Sequence, residues 1–324
     1  MHVKFWGVRG SLPSPTGPEA LVTRFRDLLH AFFDIGYSRK AEIEKFLESL
    51  PPHRLGGYGG NTLCLEVTTG AQQIIIDGGS GIRPLGYDLL KGPCGKGKGE
   101  VHILFTHFHW DHVLGLPFFT PIFIPGNTIH LYAVEPDLPD VLKTIFRKPN
   151  FPVQMEQLGA KLVYHRLPPR QPTRLGEITV TPYQLDHPDP CWGYRLEHQG
   201  KVFSHCADTE CKRSNREDLG PDLPMYQGVD LMVFDAQYSI VEVVEKVDWG
   251  HAAALIGLDL AMQEGIKKVA FIHHEPASSD DKIAQAEART REYYERQVKT
   301  SREENLGLHE VDWFFAREGM SLDV

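Results

Sequence analysis

Thr106-His107-Phe108-His109-Trp110-Asp111-His112 brings three imidazoles and one carboxylate into six residues. Crowding such groups is costly unless a positive charge holds them, and a divalent metal supplies it. Val101, Ile103, Leu104 and Phe105 lead in and Gly115 follows. That pattern predicts a buried strand ending in a tight loop that opens a helix. In an extended segment His107 and His109 project to the same side. Asp111 and His112 come after the turn and can face a second point, so one loop can serve two metals. A His-rich surface loop is the plain alternative, and the group's place at the end of an apolar strand weighs against it.

The same placement recurs along the chain. Asp77, His187, Asp208, Asp235 and His273 each stand at the carboxyl end of an apolar run. Strand ends on one edge of a sandwich lie close together, so residues distant in sequence can converge there. Asp77, before Gly78-Gly79, is either a turn residue or a carboxylate that orients a ligand histidine. His273 and His274 are adjacent, and either can ligate. A packing role is expected for His205. Cys206 and Cys211 flank Asp208 and read as core or loop thiols rather than ligands.

Periodicity predicts the elements that must position these groups. Strands are expected over 2–9, 62–68, 73–77, 101–106, 128–134, 177–186, 193–197, 202–206, 231–234 and 268–272, with the last near 308–315 and 319–324. Helices are expected over 136–147, over 252–264 with Gly265 as its cap, and over 279–299. Within 18–50, Leu21, Phe25, Leu28, Leu29, Phe32 and Phe33 recur at helical spacing, as do Ile43, Phe46, Leu47 and Leu50. This predicts an inserted helical hairpin ended by Pro51-Pro52. It reads as a packing element, with a lid or a homodimer contact as the functional alternative. Residues 91–100 read as a mobile surface loop. The glycines of 56–61 lack the Gly-Lys-Ser/Thr of a phosphate-binding Walker loop. Two strand-rich halves, each followed by helices, predict an α/β chain folded as one four-layer αββα domain over 1–324.

Composition narrows the function. With 41% hydrophobic and 24% charged residues in 324, the chain reads as a soluble globular protein. A net charge of −9 argues against a general nucleic-acid binder. Between Lys143 and Arg174, seven basic residues stand against the single acid Glu156. They could attract an anionic substrate or form an ordinary solvated face. No apolar run approaches the ~20 residues of a membrane span. Met1 to Trp6 runs directly into strand-like sequence, so no signal peptide is expected. The five cysteines (64, 94, 191, 206, 211) include no Cys-x-x-Cys pair, which predicts reduced thiols in a cytoplasmic protein.

His-x-His-x-Asp-His at 107–112 resembles the signature of the metallo-β-lactamase fold superfamily. The resemblance extends over nearly the whole chain outside 18–50, with Asp77, His187, Asp208 and His273 matching the other motifs. It implies an αββα metallo-β-lactamase sandwich. His107, His109 and His187 would hold one divalent metal, Asp111, His112 and His273 a second, and Asp208 would bridge them. Zn2+ is the first choice and Mn2+ or Fe2+ the alternatives. Phe203-Ser204-His205-Cys206-Ala207-Asp208, Gly250-His251-Ala252 and Phe271-Ile272-His273-His274-Glu275-Pro276 are similar to the phosphodiesterase branch that contains ribonuclease Z and the small cyclic-phosphodiester hydrolases. Phe5-Trp6-Gly7-Val8-Arg9-Gly10-Ser11 with Tyr58-Gly59-Gly60-Asn61-Thr62 resembles a bacterial subgroup of cyclic-nucleotide-phosphodiesterase-like hydrolases.

The resemblance implies a metal-dependent phosphodiesterase acting on a small cyclic or nucleotide phosphodiester. A metal-bridging hydroxide would attack phosphorus, Asp208 would set the metal separation and Asp111 would orient the hydroxide. His251 is the candidate donor of a proton to the leaving oxygen, with a helix-capping or core histidine as its plain alternative. Ribonuclease Z-like processing of tRNA ends is the second reading. Ribonuclease Z generally carries a long basic, glycine-rich arm, whereas 212–229 here is short and mixed in charge. A lactonase or thioesterase would use the same metals, and a non-catalytic binding or sensory module is the reading outside enzymes.

Overall fold

Apolar strand runs without polar alternation need cover on both faces, and the chain provides it with two packed sheets. The computed structural model describes residues 1–70 and 72–324. Its first half supplies β1 (His2–Gly7), β2 (Cys64–Thr68), β3 (Gln73–Ile76), β4 (Glu100–Leu104), β5 (Thr128–Ala133) and β6 (Lys161–Arg166). The second half supplies β7 (Thr173–Leu175), β8 (Ile178–Gln184), β9 (Trp192–His198), β10 (Lys201–Cys206), β11 (Leu231–Asp235), β12 (Lys268–Ile272) and β13 (Asp312–Phe315). β14 (Ser321–Asp323) returns to the first sheet, giving the orders β14-β1-β2-β3-β4-β5-β6 and β13-β12-β11-β10-β9-β8-β7. The helices are α1 (Pro18–Asp34), α2 (Ile43–Ser49), α3 (Pro52–Gly56), α4 (Ile82–Leu89), α5 (Trp110–Val113), α6 (Leu138–Ile145), α7 (Arg216–Leu219), α8 (Ile240–Glu245), α9 (Ala254–Glu264) and α10 (Asp280–Glu304).

Each half begins antiparallel and ends parallel. β1, β2 and β3 pair antiparallel and β3 to β6 parallel. β7 to β10 pair antiparallel and β10 to β13 parallel. Parallel neighbours need crossovers, which is where α4 to α10 lie, whereas α1 to α3 join the antiparallel β1 and β2. Alternation then sorts the strand side chains into layers. Ile74 and Ile76 of β3 join the core between the sheets, with Leu104, Phe203, Val233 and Ile272. Ile75 faces the other way, into a cluster with Ile103 and with Ile82, Leu85 and Leu142 of α4 and α6. On the far side Phe234 and Phe271 pack against Leu258 of α9 and Ile283 of α10. The fold is the expected α/β, αββα sandwich.

This topology aims the parallel strands' carboxyl ends at one rim. Asp77, Asp208 and His273, at or just past the ends of β3, β10 and β12, have left-handed backbone at φ 62°, 59° and 62°. Non-glycine residues adopt that region at a cost of about 1–2 kcal/mol. It turns the chain sharply off the strand and brings these side chains over the sheet edge.

Several elements differ from expectation. Pro51-Pro52 ends the second helix, but Pro52 also starts α3. Residues 91–100 are not a free surface loop. Cys94 is buried, and the Gly99 N–H donates to Asn127 Oδ1 at 2.8 Å. The helical hairpin is present, with Phe46 of α2 buried edge-on to Phe32. α1, however, contains no buried residue, and Phe25, Leu29 and Phe33 are 61%, 59% and 59% exposed. Its apolar stripe is therefore not the packing face the periodicity suggested. No helix among the described residues is long and apolar enough to cross a membrane.

Candidate metal centre

Asp208 lies at the centre of the rim and is almost wholly buried. His112 Nε2 and His107 Nε2 lie 2.5 and 3.3 Å from its Oδ2, and His273 Nε2 lies 2.8 Å from its Oδ1. Asp111 Oδ2 is 3.1 Å from His273 Nε2 and 3.4 Å from His112 Nε2. His107, His109 and His187 form one group whose ligand atoms lie within 4.8 Å of one another, and Asp111, His112, Asp208 and His273 form a second. All seven sequence-predicted ligands are thus brought together, in the two sets expected, with Asp208 against both.

The imidazoles are anchored from behind. Asp77, fully buried, accepts the Thr106 N–H and hydroxyl at 2.9 Å each and His112 Nδ1–H at 2.8 Å. This favours its reading as an orienting carboxylate over a simple turn residue. The Thr106 hydroxyl accepts in turn from His107 Nδ1–H at 3.0 Å. Gln237 Oε1 accepts from His273 Nδ1–H at 2.7 Å. Asp189 serves two rings, its backbone oxygen accepting from His187 Nδ1–H at 2.9 Å and its Oδ2 from His109 Nε2–H at 2.8 Å. Of the nitrogens left over, His273 Nε2 meets Asp111 Oδ2 at 3.1 Å, and three others are bare. Buried His107 Nε2, His112 Nε2, His187 Nε2 and Asp208 Oδ1 have no aligned hydrogen bond.

Buried lone pairs without donors carry a desolvation cost that a cation removes. The electrostatics give the same answer. Burial disfavours charge on His273, but Asp208 and Asp111 outweigh it and push its pKa up to about 10. Burial opposes charge on His112 as well, and Asp208, Asp111 and Asp77 hold it well above the ordinary imidazole value. His107 goes the other way, lowered by burial and by His112. The carboxylates thus draw positive charge onto His112 and His273, and divalent cations would take the place of those protons. The nitrogen and oxygen donor set fits Zn2+, Mn2+ or Fe2+.

His251 stands beside this centre. Its Nδ1–H donates to Asp235 Oδ2 at 3.0 Å, and its ring stacks on His273 at 4.8 Å between centroids. Gly250, at φ 88°, delivers it. A Cβ at Gly250 would meet His187 Cδ2 at 2.2 Å, so only bare backbone passes there. The Gly250 N–H is tied to Glu210 Oε1 at 2.9 Å.

His274 turns away from the rim. Its Nε2–H donates to the Ala316 oxygen at 2.9 Å, its ring stacks on Phe315, and burial pushes its pKa down to about 3. His205 is fully buried in β10, and burial lowers it to about 4. Cys206 and Cys211 lie in the outer core and in neither ligand group. Sequence reasoning missed Ser11, whose backbone N–H donates to Asp111 Oδ2 at 2.7 Å, and Asp189 and Gln237. Only Gly10 gave a signal near them. A Cβ there would meet Gln237 Oε1 at 2.3 Å and His273 Nδ1 at 2.4 Å.

Ribonuclease BN of Cronobacter sakazakii is 31% identical over 129 residues, 39% of this chain and 40% of its own length. Ribonuclease Z of Staphylococcus carnosus is 26% identical over 201 residues, 60% of this chain. The match spans 61% of that relative, so the chain covers less than two thirds of either ribonuclease. Among solved structures, the metallo-β-lactamase fold protein YhfI from Bacillus subtilis superposes with a TM-score of 0.61 at 14% identity, covering 99% of this chain and 98% of that one. A diphosphatase from the PhnP family gives a TM-score of 0.57 at 18% identity, covering 100% and 97%. Residues 72–274 match the family model described as the beta-lactamase superfamily domain. With that match over most of its length and the αββα sandwich around it, the chain belongs to the β-lactamase superfamily and has the metallo-β-lactamase fold.

Proposed function

We propose that the chain is a dinuclear metal-dependent phosphodiesterase acting on a small cyclic or nucleotide phosphodiester. His107, His109 and His187 would hold one metal, Asp111, His112 and His273 the other, and Asp208 would bridge them, with Zn2+ preferred over Mn2+ or Fe2+. The observation that carries the reading is the Asp235–His251 pair set against the ligand groups. Asp208, Asp235, His251 and His273 form one cluster, with ligand atoms within 4.8 Å of one another. Bound divalent metals supply Lewis-acid activation of water and of the phosphoryl group.

The chain's own residues do the rest. Asp208 and Asp111 neutralise the site's positive charge and fix the spacing of the two ligand groups. Asp111 is held in place by the Ser11 N–H. Asp235 engages His251 Nδ1, so Nε2 is the nitrogen that meets a substrate oxygen. A proton on Nε2 passes to the leaving alkoxide, and the Asp235 carboxylate stabilises the ring before transfer. The ribonuclease BN and Z relatives support phosphodiester chemistry for this site.

The shape of 212–229 supports a small substrate over RNA. Leu219, Met225 and Tyr226 are buried, so the segment lies folded on the body. Arg170 and Arg213 are spent on Asp222 at 2.8 and 2.7 Å rather than free for a phosphate backbone. The ribonuclease relatives favour the second reading, processing of tRNA ends. The five unpaired, buried cysteines support a cytoplasmic setting.

The test is a metal-varied hydrolysis panel of bis-p-nitrophenyl phosphate, 2′,3′- and 3′,5′-cyclic nucleotides, a lactone and pre-tRNA. Turnover of the small phosphodiesters is expected. Pre-tRNA cleavage without it supports the second reading, and lactone turnover alone overturns both.

A further inference from the structure

A further group of ligand-type side chains lies away from the rim. Glu100, His102 and His130 place their ligand atoms within 4.8 Å of one another. The register of the sheet causes this. β4 and β5 run parallel with His102 beside His130, and β6 sets His165 beside Tyr132. Leu104 and Tyr132, two residues on from His102 and His130, belong to the core between the sheets. By alternation, His102 and His130 share that inner face. The rings stack, His102 on His130 at 4.8 Å and 9°, and His130 on His165 at 5.1 Å and 26°.

Stacked imidazoles repel one another when charged, and burial together with the neighbouring His130 ring lowers His102 below the ordinary imidazole value. Each ring is also held from behind. His102 Nδ1 lies 2.9 Å from the Tyr132 hydroxyl, and His130 Nδ1 lies 2.9 Å from His165 Nε2. In the tautomers whose Nδ1–H groups donate to Tyr132 and His165, each Nε2 presents a lone pair. Both face the same carboxylate oxygen, Glu100 Oε1, at 3.9 Å from His102 and 3.1 Å from His130. An ordinary ion pair needs one imidazole, whereas here two converge on one oxygen. The anchoring of each ring through its other nitrogen repeats what Asp77 and Gln237 do at the rim.

We propose that Glu100, His102 and His130 bind a divalent transition metal of the zinc type, with Tyr132 and His165 holding the two ligand rings and solvent completing the coordination. The site is distinct from the strand-end centre. His102 lies roughly 16 Å along the strand direction from His107, at about 3.3 Å per residue. An ion there clips β4 to β5 through side chains.

The test counts zinc in metal-stripped protein re-equilibrated with Zn2+. Wild type is expected to bind one equivalent more than the His102→Gln/His130→Gln double variant. Asp208→Ala, which disables the strand-end centre, is expected to keep an equivalent that the triple variant lacks. Equal zinc within each pair overturns the proposal. If the double variant does not melt cooperatively, Glu100→Gln at an exposed position replaces it. It is expected to weaken that equivalent by at least about tenfold, and unchanged affinity overturns the proposal.

Discussion

His102 lies within β4 and His107 just past its end, and the two histidines belong to sites of different construction. At the strand end the ladder stops, the backbone turns, and side chains from β3, β4, β10 and β12 converge across both sheets. Asp208 there meets three imidazoles and is 1% exposed. Within the strand the ladder continues, so a site can draw only on adjacent strands in register. Glu100 there has a side chain 67% exposed. The contrast teaches how topology sets ligand choice. A rim can enclose many buried ligands of both signs, whereas a strand face offers a few half-buried ones. The rim suits chemistry among many charged groups, and the strand face suits an ion that ties strands together.

Perturbing each region should separate them. The largest effect is expected from Asp208→Ala, which removes the shared carboxylate. Metal content at the rim and phosphodiester turnover should fall together, turnover by at least about 10³-fold, checked by metal analysis beside kinetics. His251→Ala should keep the metals and lower kcat by about 10²–10⁴-fold. Full turnover in the metal-loaded variant would remove His251 from the mechanism. Asp77→Asn takes a charge from behind His112 without removing a ligand. Its rim metal affinity should drop about 10–100-fold, read by competition with a chelating dye. The smallest effect on turnover is expected from His102→Gln/His130→Gln, which should leave kcat within about twofold of wild type while changing zinc content. A large loss of kcat there would mean that the two regions are coupled rather than separate.

The rim was largely legible in the sequence because it is made of strand ends. An apolar run followed by His or Asp marks such a position, and Asp77, His107, His187, Asp208 and His273 all carry that mark. The two-sheet architecture was legible for the same reason, from runs that need cover on both faces. Other features depend on information no single segment holds. Asp189 orients two imidazoles from within the turn between β8 and β9, two residues past His187. Ser11 acts through a backbone N–H, which leaves no side-chain signal. His130 and His165 join His102 only once β4, β5 and β6 are set in register. β6 itself was hidden, since Lys161–Arg166 is an edge strand of intermediate and exposed residues. Helical spacing identified the stripe of Leu21, Phe25, Leu29 and Phe33, but periodicity reports a face and not what covers it.

The most direct test of the account is a zinc titration of chelator-stripped His102→Gln/His130→Gln protein, with bis-p-nitrophenyl phosphate hydrolysis followed at each addition. The expected result is turnover that depends on zinc and saturates at two bound equivalents, with Asp208→Ala in the same background inactive throughout. Turnover that is complete in the stripped protein, or that persists in the Asp208→Ala protein, would contradict a two-metal site built around Asp208.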